Sequence, residues 1–450
     1  MKDKEIEILR DKINDLDNQM LDIMDQRSYI VTEIGKLKDK KKGIIDKNRE
    51  QNVIDRLINL TRGKYSKDSI IRIWRELFEA SSKLQIKNNF LIETKRSIEN
   101  ISIYKGGKTI ANPSERNNFK DEIIKLSSNE NSLGASKYIS LIDLNYNLNR
   151  YPEINGITLR KKIAELHKID KNQIVLGCGS DEILLFAALS FCRPGDEIIH
   201  AEHGFEMYSI ITKIVGAVSK LAEEKNYKVS VKSICEKISP ATKLIYLANP
   251  NNPSGSYLTK KEIRDLMNTI PKNIVVLLDG AYAEYVMEED YDSDFSLIDE
   301  YENIIITRTF SKAYGLASIR LGWCYSSERI SSILNRVKGP FNTNTFAHKL
   351  ALIALKDQEH IKMVTDENKI NKKWFEEELK KLNIKFYPSF ANFSFIESSE
   401  KGANNIFNSL LEKGIIVRQL DSYNLPNCLR ITIGTKDEMN KTISVLKGIM

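Results

Sequence analysis

The sequence predicts a multidomain chain: an all-α N-terminal domain, followed by an α/β region with a large, largely parallel sheet. Residues 5–38 carry a heptad repeat of apolar residues, and two further helical segments follow. Beyond residue 119, short β-branched runs alternate with helical stretches, which is the pattern of βαβ units. A length of 450 residues suits two or three domains rather than one.

The first segment is predicted to be one amphipathic helix of roughly 50 Å, because it contains no proline and no internal glycine before Gly35. Its apolar repeat consists of Ile6, Leu9, Ile13, Leu16, Met20, Ile23, Ile30, Ile34 and Leu37. Helical segments at 46–61 and 66–87 follow, separated by Gly63 and the cap candidate Ser66. By itself this pattern indicates a coiled-coil dimerisation module.

Arg27 occupies a position of the apolar seam where an aliphatic residue belongs. A buried arginine is costly unless an anion meets it, so Arg27 is a candidate ligand-binding residue. Lys38 lies on the same seam. Arg10 lies about 25 Å from Arg27 along a straight helix, so one small ligand cannot contact both from a single chain. If both bind the ligand, Arg10 comes from a second, antiparallel copy, which predicts a homodimer with shared sites.

Over about residues 5–88 the chain resembles the all-helical chorismate mutases. The residues that carry the resemblance lie at 9–13, 16–17, 26–27, 35–38, 46–50, 81 and 85. The resemblance implies a chorismate mutase domain over 1–90, with three helices that form an intertwined dimer and convert chorismate to prephenate. This pericyclic step needs no nucleophile or base, only a bound reactive conformer and stabilisation of charge on the ether oxygen.

By this resemblance, Arg27 and the partner subunit's Arg10 bind the two carboxylates of chorismate. Lys38 and Gln85 address the ether oxygen, and Glu50 accepts a hydrogen bond from the ring hydroxyl. The residues expected around them are Asp46, Arg49 and Ser81. The alternative interpretation is a degenerate domain kept for dimerisation or ligand sensing.

For the second domain, the most informative stretch surrounds Lys312. This lysine follows the β-branched run 304–307, lies in a Ser/Gly-rich turn, and has Arg320 eight residues later. Upstream, Asn252 lies in a turn rich in Asn and Pro, and Asp279 ends an apolar strand. A lysine for an aldehyde, an aspartate for a ring nitrogen and an asparagine for a ring oxygen are what a pyridoxal 5'-phosphate site requires.

A glycine-containing turn at 177–182 lies between a predicted strand and the apolar helix 183–192. Backbone amides at a helix start can bind a phosphate, and glycine lets the anion approach. Alone, this motif fits a plain strand–helix turn equally well. In series with Lys312 it points to the cofactor phosphate.

Together these motifs resemble fold-type I aminotransferases, closest to the histidinol-phosphate aminotransferase branch. The stretches that carry the resemblance are 249–255, 279–282 and 308–322, with 127–131, 149–153, 177–182 and 428–434 in support. The resemblance implies a pyridoxal-phosphate-dependent α/β aminotransferase over 119–450, with a large parallel-sheet domain at about 145–345 and a smaller α+β domain from the remaining ends. Residues 91–118 would form a linker and an N-terminal arm, the arm beginning at 103–108.

The same resemblance implies a role for each cofactor residue. Lys312 holds the aldehyde, Asp279 the ring nitrogen, and Phe205, where relatives often carry tyrosine, stacks on the ring. Asn252 and Tyr282 bond the ring oxygen. The phosphate is expected to be bound by Ser180, Asp181, Thr309, Ser311 and Arg320, with Tyr151 from the neighbouring subunit.

Asn129 and Arg430 are assigned to the substrate, since a planar guanidinium pairs bidentately with an α-carboxylate. Arg418 is a further candidate for the same pocket. Aminotransferases of this fold are dimers with composite sites, which gives a second reason to expect a homodimer.

Composition argues against several other classes. The net charge is +7, but basic residues are dispersed among acids, so no nucleic-acid partner is expected. The five cysteines and five histidines show neither disulfide nor metal spacing, so no metal site is expected. No apolar run is long enough to span a membrane and the charged N-terminus does not resemble a signal peptide, so no membrane association and a cytoplasmic location are expected.

A mutase fused to an aminotransferase suggests a bifunctional enzyme of aromatic amino acid biosynthesis. Prephenate is the first candidate for the 2-oxo acid, followed by phenylpyruvate and 4-hydroxyphenylpyruvate, with glutamate or aspartate as the amino donor. The alternative is a histidinol-phosphate aminotransferase fused to a mutase-like regulatory module, because fold and motif define the reaction better than the substrate.

Overall fold

The computed structural model describes residues 2–38, 46–85, 95–99, 101–102, 123–141, 149–292 and 295–449. They belong to two compact units, one comprising Met1–Asn100 with Pro194–Asp196 and the other Ile101–Arg193 with Glu197–Met450. The predicted arm at 103–108 and the last two residues of the predicted third helix lie outside the described residues.

The N-terminal unit is helical. Its helices are α1 (Lys2–Leu37), α2 (Lys47–Leu60), α3 (Lys67–Gln85) and the short α4 (Arg96–Glu99). Asp46 caps α2: its carboxylate accepts the Arg49 N–H at 2.9 Å, which satisfies a donor that the first turn leaves unpaired. Both α1 and α2 pack on α3, and Val31, Ile54 and Ile71 are buried among them.

Most of the apolar seam of α1 is exposed in the single chain. The exposed fractions lie between 44% and 87% for Ile6, Leu9, Ile13, Leu16, Met20, Ile23, Ile30, Ile34 and Leu37. Exposed apolar surface on this scale marks an interaction site rather than an ordinary solvated helix face. Within the described ranges, no helix is both long enough and apolar enough to cross a membrane.

The second unit has a large lobe built on a seven-stranded sheet. In spatial order its strands are β2 (Ile174–Gly177), β10 (Gly322–Ser326), β9 (Ile304–Thr309), β8 (Val275–Asp279), β7 (Thr242–Ala248), β3 (Glu197–Ala201) and β4 (Val218–Ala222). In this sheet β10 runs antiparallel to β2 and β9, and the other pairs are parallel. The predicted α/β class is therefore confirmed. A small hairpin, β5 (Glu224–Lys225) with β6 (Lys228–Val229), follows β4.

The parallel strands are buried on both faces. On β7, Leu244 and Tyr246 enter one hydrophobic cluster while Ile245 and Leu247 enter another, as expected for a sheet covered on both sides. The helices of this lobe are α5 (Ile157–His167), α6 (Ser180–Phe191), α7 (Glu206–Ile214), α8 (Val231–Cys235), α9 (Lys260–Thr269), α10 (Leu297–Glu300), α11 (Glu328–Val337) and α12 (Thr345–Ala354). Short 3₁₀ helices lie at Lys137–Leu141, Ile154–Gly156, Lys171–Gln173, Ala283–Tyr285, Ala317–Ile319 and Asp421–Tyr423.

The small lobe has an antiparallel sheet of order β11 (Lys385–Tyr387), β12 (Phe393–Glu397), β15 (Leu425–Thr432) and β14 (Arg418–Leu420). Its helices are α13 (Gln358–Lys381), α14 (Glu400–Glu412) and α15 (Lys436–Ile449). β1 (Ile124–Lys125) pairs in parallel with β13 (Ile415–Ile416). The small lobe therefore combines residues that precede the strands of the large sheet in sequence with residues that follow them.

Candidate active sites

A cavity of about 200 Å³ lies at the carboxyl ends of the parallel strands β7, β8 and β9. This is where open α/β sheets bind their ligands. Its lining includes twelve of the residues that the sequence assigns to the cofactor or substrate, namely Asn129, Ser180, Asp181, Phe205, Asn252, Asp279, Tyr282, Thr309, Ser311, Lys312, Arg320 and Arg430. Tyr151 does not line it: its side chain is 81% exposed and stacks on Phe341 with ring centroids 4.6 Å apart.

Lys312 is half-buried in this cavity and its Nζ donates to the carbonyl oxygen of Ser128 at 3.0 Å. Burial lowers the pKa of the amine to about 8, and the positive charge of Arg430 acts in the same direction. A larger share of the amine is therefore neutral near physiological pH than for an ordinary lysine. A neutral amine is the form that attacks an aldehyde.

Asp279 ends β8 and is buried. Its two oxygens each accept a hydroxyl, Oδ2 from Tyr208 and Oδ1 from Thr307, both at 3.0 Å. Burial raises the pKa of this carboxyl to about 6, and the two hydroxyl hydrogen bonds oppose that rise. The sequence analysis missed Tyr208 and Thr307. Thr307 pairs directly with Asp279 across β8 and β9, a relationship that becomes visible only once the sheet register is known.

An anion-binding end is formed where α6 begins. Arg320 donates from Nη1 to Ser311 Oγ at 3.2 Å, and its Nη2 lies 3.3 Å from Oδ2 of Asp181. Gly179 has φ of +80°, and a Cβ there would lie 2.5 Å from Arg320 Nη2, so a side chain would displace the guanidinium. The Thr309 hydroxyl accepts the Ser311 N–H at 3.1 Å. A helix start, a guanidinium and several hydroxyls together suit a phosphate.

Arg430 lines the same cavity and is buried. Its guanidinium donates to Asn252 Oδ1 and, at 2.8 Å, to the carbonyl oxygen of Ser127. Asn129 donates from Nδ2 to the Tyr282 hydroxyl at 2.8 Å. Asn129 with Tyr282 and Arg430 with Asn252 thus form two hydrogen-bonded pairs in the cavity that Lys312 lines, and their roles stay predictions.

Arg418 lines the same cavity. It lies on β14 directly across from Arg430 on β15, so the two side chains share one face of the small sheet. Arg418 Nη2 lies 3.7 Å from a carboxylate oxygen of Glu206. Besides Arg320 at the anion-binding end, the cavity therefore holds two arginines, Arg418 and Arg430, which can meet two anionic groups of one small molecule.

The donor set of the cavity fits pyridoxal 5'-phosphate. One cavity is lined by the amine of Lys312, whose pKa is lowered, and by the buried carboxylate of Asp279, which two hydroxyls orient. The same cavity is lined by an amide, a phenol, and a helix start with a guanidinium. Among the described residues, no grouping of three or more His, Cys, Asp or Glu could hold a metal ion.

In the N-terminal unit, the structure brings three of the predicted residues to the α1–α3 contact. Arg27 Nη1 donates to the Ser81 hydroxyl, and burial lowers the pKa of this guanidinium from its ordinary value. Gln85 lies against Gly35, where a Cβ would be only 2.9 Å from Gln85 Cγ. The Oε1 atom of Gln85 is buried and accepts no hydrogen bond from any described residue. A buried amide acceptor and a guanidinium thus both lie at the α1–α3 contact.

The other predicted mutase residues are more dispersed. Lys38 directly follows the end of α1, and Glu50 lies in the first turn of α2 with Arg49, which is exposed. Arg10 is exposed on the same unbroken helix as Arg27, seventeen residues away. Within one chain, α1 therefore keeps the two arginines about 25 Å apart, as the sequence predicts.

Comparisons with known proteins match two separate parts of the chain. Residues 121–446 match the family model for aminotransferase class I and II, and residues 9–86 match that for chorismate mutase type II. A histidinol-phosphate aminotransferase 2 of Haemophilus influenzae is 39% identical over 357 residues, which covers 79% of this chain and 97% of that protein. A histidinol-phosphate aminotransferase of Pelagibacter ubique is 41% identical over 332 residues, or 73% of this chain and 92% of that protein.

Among solved structures, the histidinol-phosphate aminotransferase of Sinorhizobium meliloti, in complex with pyridoxal-5'-phosphate, matches with a TM-score of 0.73. The match covers 80% of this chain and 100% of that one at 21% sequence identity. At this identity the shared property is the fold.

Proposed function

Because the chain belongs to the class I and II aminotransferase family and carries a type II chorismate mutase domain, we propose that it makes prephenate from chorismate and then transaminates prephenate. Glutamate or aspartate would be the amino donor. The observation that carries the choice of prephenate is the pair of arginines, Arg418 and Arg430, in the Lys312 cavity.

Prephenate carries two carboxylates, one beside the keto group and one on the ring. Arg430 is buried next to Lys312 and would hold the carboxylate beside the reacting carbon. Arg418, across the strand, would hold the ring carboxylate. The same two groups suit the two carboxylates of glutamate or aspartate, so donor and acceptor could use one site in turn. Phenylpyruvate and 4-hydroxyphenylpyruvate leave the second arginine without a carboxylate.

Pyridoxal 5'-phosphate is the cofactor of this family, and when bound it accepts the amino group from the donor and passes it to the oxo acid. Lys312 would hold its aldehyde and, once released, move the proton at the reacting carbon, which its lowered pKa favours. Asp279, held by Tyr208 and Thr307, would stabilise positive charge at the ring nitrogen. The phosphate would lie at the start of α6, bound by Ser180, Asp181, Thr309, Ser311 and Arg320.

For the mutase reaction, the α1–α3 contact would bind the dicarboxylate. Arg27 is already oriented by Ser81, so little side-chain entropy remains to be lost when it binds a carboxylate. Gln85 and Lys38 lie toward the end of α1 and would address the ether oxygen, with Glu50 at the ring hydroxyl.

We infer a homodimer for this unit. The exposed seam of α1 supports it, because a second α1 packed antiparallel would cover these apolar side chains. The same packing would bring the partner subunit's Arg10 toward Arg27, which one continuous helix cannot do.

A second candidate function is transamination of imidazole-acetol phosphate, favoured by the names of the relatives at 39% and 41% identity. In that case Arg418 would bind a phosphate. A panel of acceptors distinguishes the two functions. The aminated holoenzyme is mixed with prephenate, phenylpyruvate, 4-hydroxyphenylpyruvate or imidazole-acetol phosphate, and the absorbance of the lysine-bound form of the cofactor is followed as it returns. We expect the rate constant per unit concentration to be at least tenfold higher for prephenate than for imidazole-acetol phosphate. A tenfold preference for imidazole-acetol phosphate over prephenate, which corresponds to about 1.4 kcal/mol of transition-state stabilisation, would contradict the proposal.

A further inference from the structure

A second cavity, of about 660 Å³, lies between the two lobes of the aminotransferase unit. The large lobe contributes the β5–β6 hairpin and residues of the stretch 254–259, and the small lobe contributes β11 and the residues after it. It shares no lining residue with the Lys312 cavity. Boundaries between lobes are common places for small-molecule sites, and this volume is in the usual range of about 300–1,000 Å³.

One wall of this cavity is aromatic. Tyr257 and Phe390 meet edge to face with ring centroids 4.5 Å apart, and Tyr387 lies beside them in the lining. Ser254 and Ser256 are also in the lining. Such a surface suits a flat six-membered ring that carries polar groups.

The charged residues that line the cavity are all lysines. Lys228 is paired with Glu262 at 3.0 Å and Lys385 with Glu397 at 2.6 Å, and neither glutamate lines the cavity. Lys225 forms no ion pair with any residue that the structure describes. One lysine therefore remains to meet an anion beside the aromatic wall. A ring that bears a carboxylate matches both features.

The hairpin that carries Lys225 also ties the lobes together. Its two turn residues, Asn226 and Tyr227, have φ of +50° and +60°, the left-handed pair that a tight two-residue hairpin requires. The Tyr227 hydroxyl donates to Glu397 of the small lobe at 3.1 Å, and its ring packs edge to face on Tyr387 with centroids 4.7 Å apart. A ligand in the cavity would therefore contact the elements that set the spacing of the lobes.

The cavity also touches the turn that carries Asn252. Ser254 accepts a hydrogen bond from Asn251 Nδ2 at 3.0 Å, and the carbonyl oxygen of Gly255 accepts the Phe390 N–H at 2.8 Å. Two residues before Ser254, Asn252 accepts from Arg430 in the Lys312 cavity. The two cavities thus lie on either side of one short turn.

We propose that this second cavity is an effector site for a small carboxylate with a six-membered ring, and that its occupancy changes how tightly Arg430 binds the substrate carboxylate. The choice of phenylalanine, tyrosine and prephenate as candidate ligands rests on the proposed function, whereas the cavity and its lining do not depend on it. Coupling of 5- to 150-fold between two sites is ordinary for such devices.

The test uses the full-length holoenzyme and hydrogen exchange, with phenylalanine, tyrosine and prephenate as separate probes. At least one of them should slow amide exchange in residues 224–229 and 385–390, over a concentration range that also changes KM for the oxo acid at least fivefold. Lys225→Glu should raise the half-saturating concentration for this protection at least tenfold while leaving the rate without effector unchanged. Lys232→Glu is the matched control, because Lys232 is 87% exposed in its side chain and does not line the cavity.

Three outcomes would overturn the proposal: no protection of these segments by any probe, protection confined to residues of the Lys312 cavity or of the mutase unit, or protection that Lys225→Glu leaves unchanged. The milder Lys225→Gln variant repeats the test if the charge reversal harms folding. Failure of prephenate as a substrate would not affect these readings, since the binding is measured separately from the acceptor panel.

Discussion

The Tyr208 hydroxyl lies 3.0 Å from Oδ2 of Asp279, and both side chains are buried. With Thr307 on the other oxygen, this contact holds the carboxylate in one orientation at the end of β8. A carboxylate that must face a cationic ring nitrogen gains from being oriented beforehand, because no reorganisation is then needed when the ring binds.

We expect Tyr208→Phe to weaken pyridoxal 5'-phosphate binding roughly ten- to hundredfold, because a hydrogen bond to a charged group contributes about 1.5–3 kcal/mol. The dissociation constant can be measured by titrating the apoprotein with cofactor. Tyr246→Phe is the matched control: Tyr246 stacks on Tyr208 but donates to the carbonyl oxygen of Leu184. Equal cofactor affinity in the two variants would show that the contact to Asp279 does not orient a cofactor ligand.

A pH dependence follows from the lowered pKa of Lys312. At pH 8 about half of this amine should be neutral, against under about 1% for an ordinary lysine. The rate at which apoprotein takes up pyridoxal 5'-phosphate should therefore rise with pH to a midpoint near 8. Arg430→Gln removes a nearby positive charge that favours deprotonation, so it should shift the midpoint upward. A midpoint near 10, or covalent uptake that survives Lys312→Ala, would assign the reaction to another amine.

Much of this site could be predicted because its parts are local in sequence. Lys312 in its turn, Asp279 at a strand end and the glycine turn before α6 each follow a run that the sequence predicts within about two residues of its observed bounds. Tyr208 and Thr307 were missed because their roles depend on tertiary packing: Tyr208 lies on α7 and reaches Asp279 only when that helix packs against the sheet, whereas Thr307 depends on the pairing of β9 with β8. The β-branched run at 304–307 contains Thr307, but no local pattern indicates that β9 pairs with β8 in the register Asp279↔Thr307.

The same reason separates Arg430 from Arg418. Arg430 could be assigned from its motif, whereas the position of Arg418 depends on β14 pairing with β15 across a chain reversal. The register shift between Gln419 and Leu420 in that pairing is an irregularity that alternation of side chains does not reveal. The cavity between the lobes could not be predicted from the sequence either, because its two walls come from segments more than a hundred residues apart.

Arg418 gives a test of substrate choice. Arg418→Gln should lower kcat/KM for prephenate by tens to thousands of fold, because loss of one partner of a charge-assisted pair costs about 2–5 kcal/mol. Phenylpyruvate has no ring carboxylate, so its kcat/KM should change less than threefold. Arg430→Gln is the comparison, since it should impair both substrates. An equal loss for both substrates in Arg418→Gln would instead indicate damage to the shared part of the site.

The shared mutase site leads to the last prediction. Arg10→Ala and Arg27→Ala should each lower mutase activity by tens to thousands of fold, because each removes one arginine of a charge-assisted pair with a substrate carboxylate. Suppose that each site combines Arg27 of one chain with the partner subunit's Arg10. A mixed dimer, with one chain of each variant, then has one site that contains both arginines and one site that contains neither. Random exchange makes half of the dimers mixed, so an equal mixture should recover about a quarter of native activity.

The control for this exchange comes from the contact between Arg27 and Ser81, which lies within one chain. Mixing Arg27→Ala with Ser81→Ala should give no more activity than the mean of the two variants, because no arrangement of the dimer reunites the pair. Subunit exchange must be measured independently, for example with differently tagged chains. Full exchange without recovery in the Arg10→Ala and Arg27→Ala mixture would mean that Arg10 does not complete the partner's site, and the exposed α1 seam would then serve association alone.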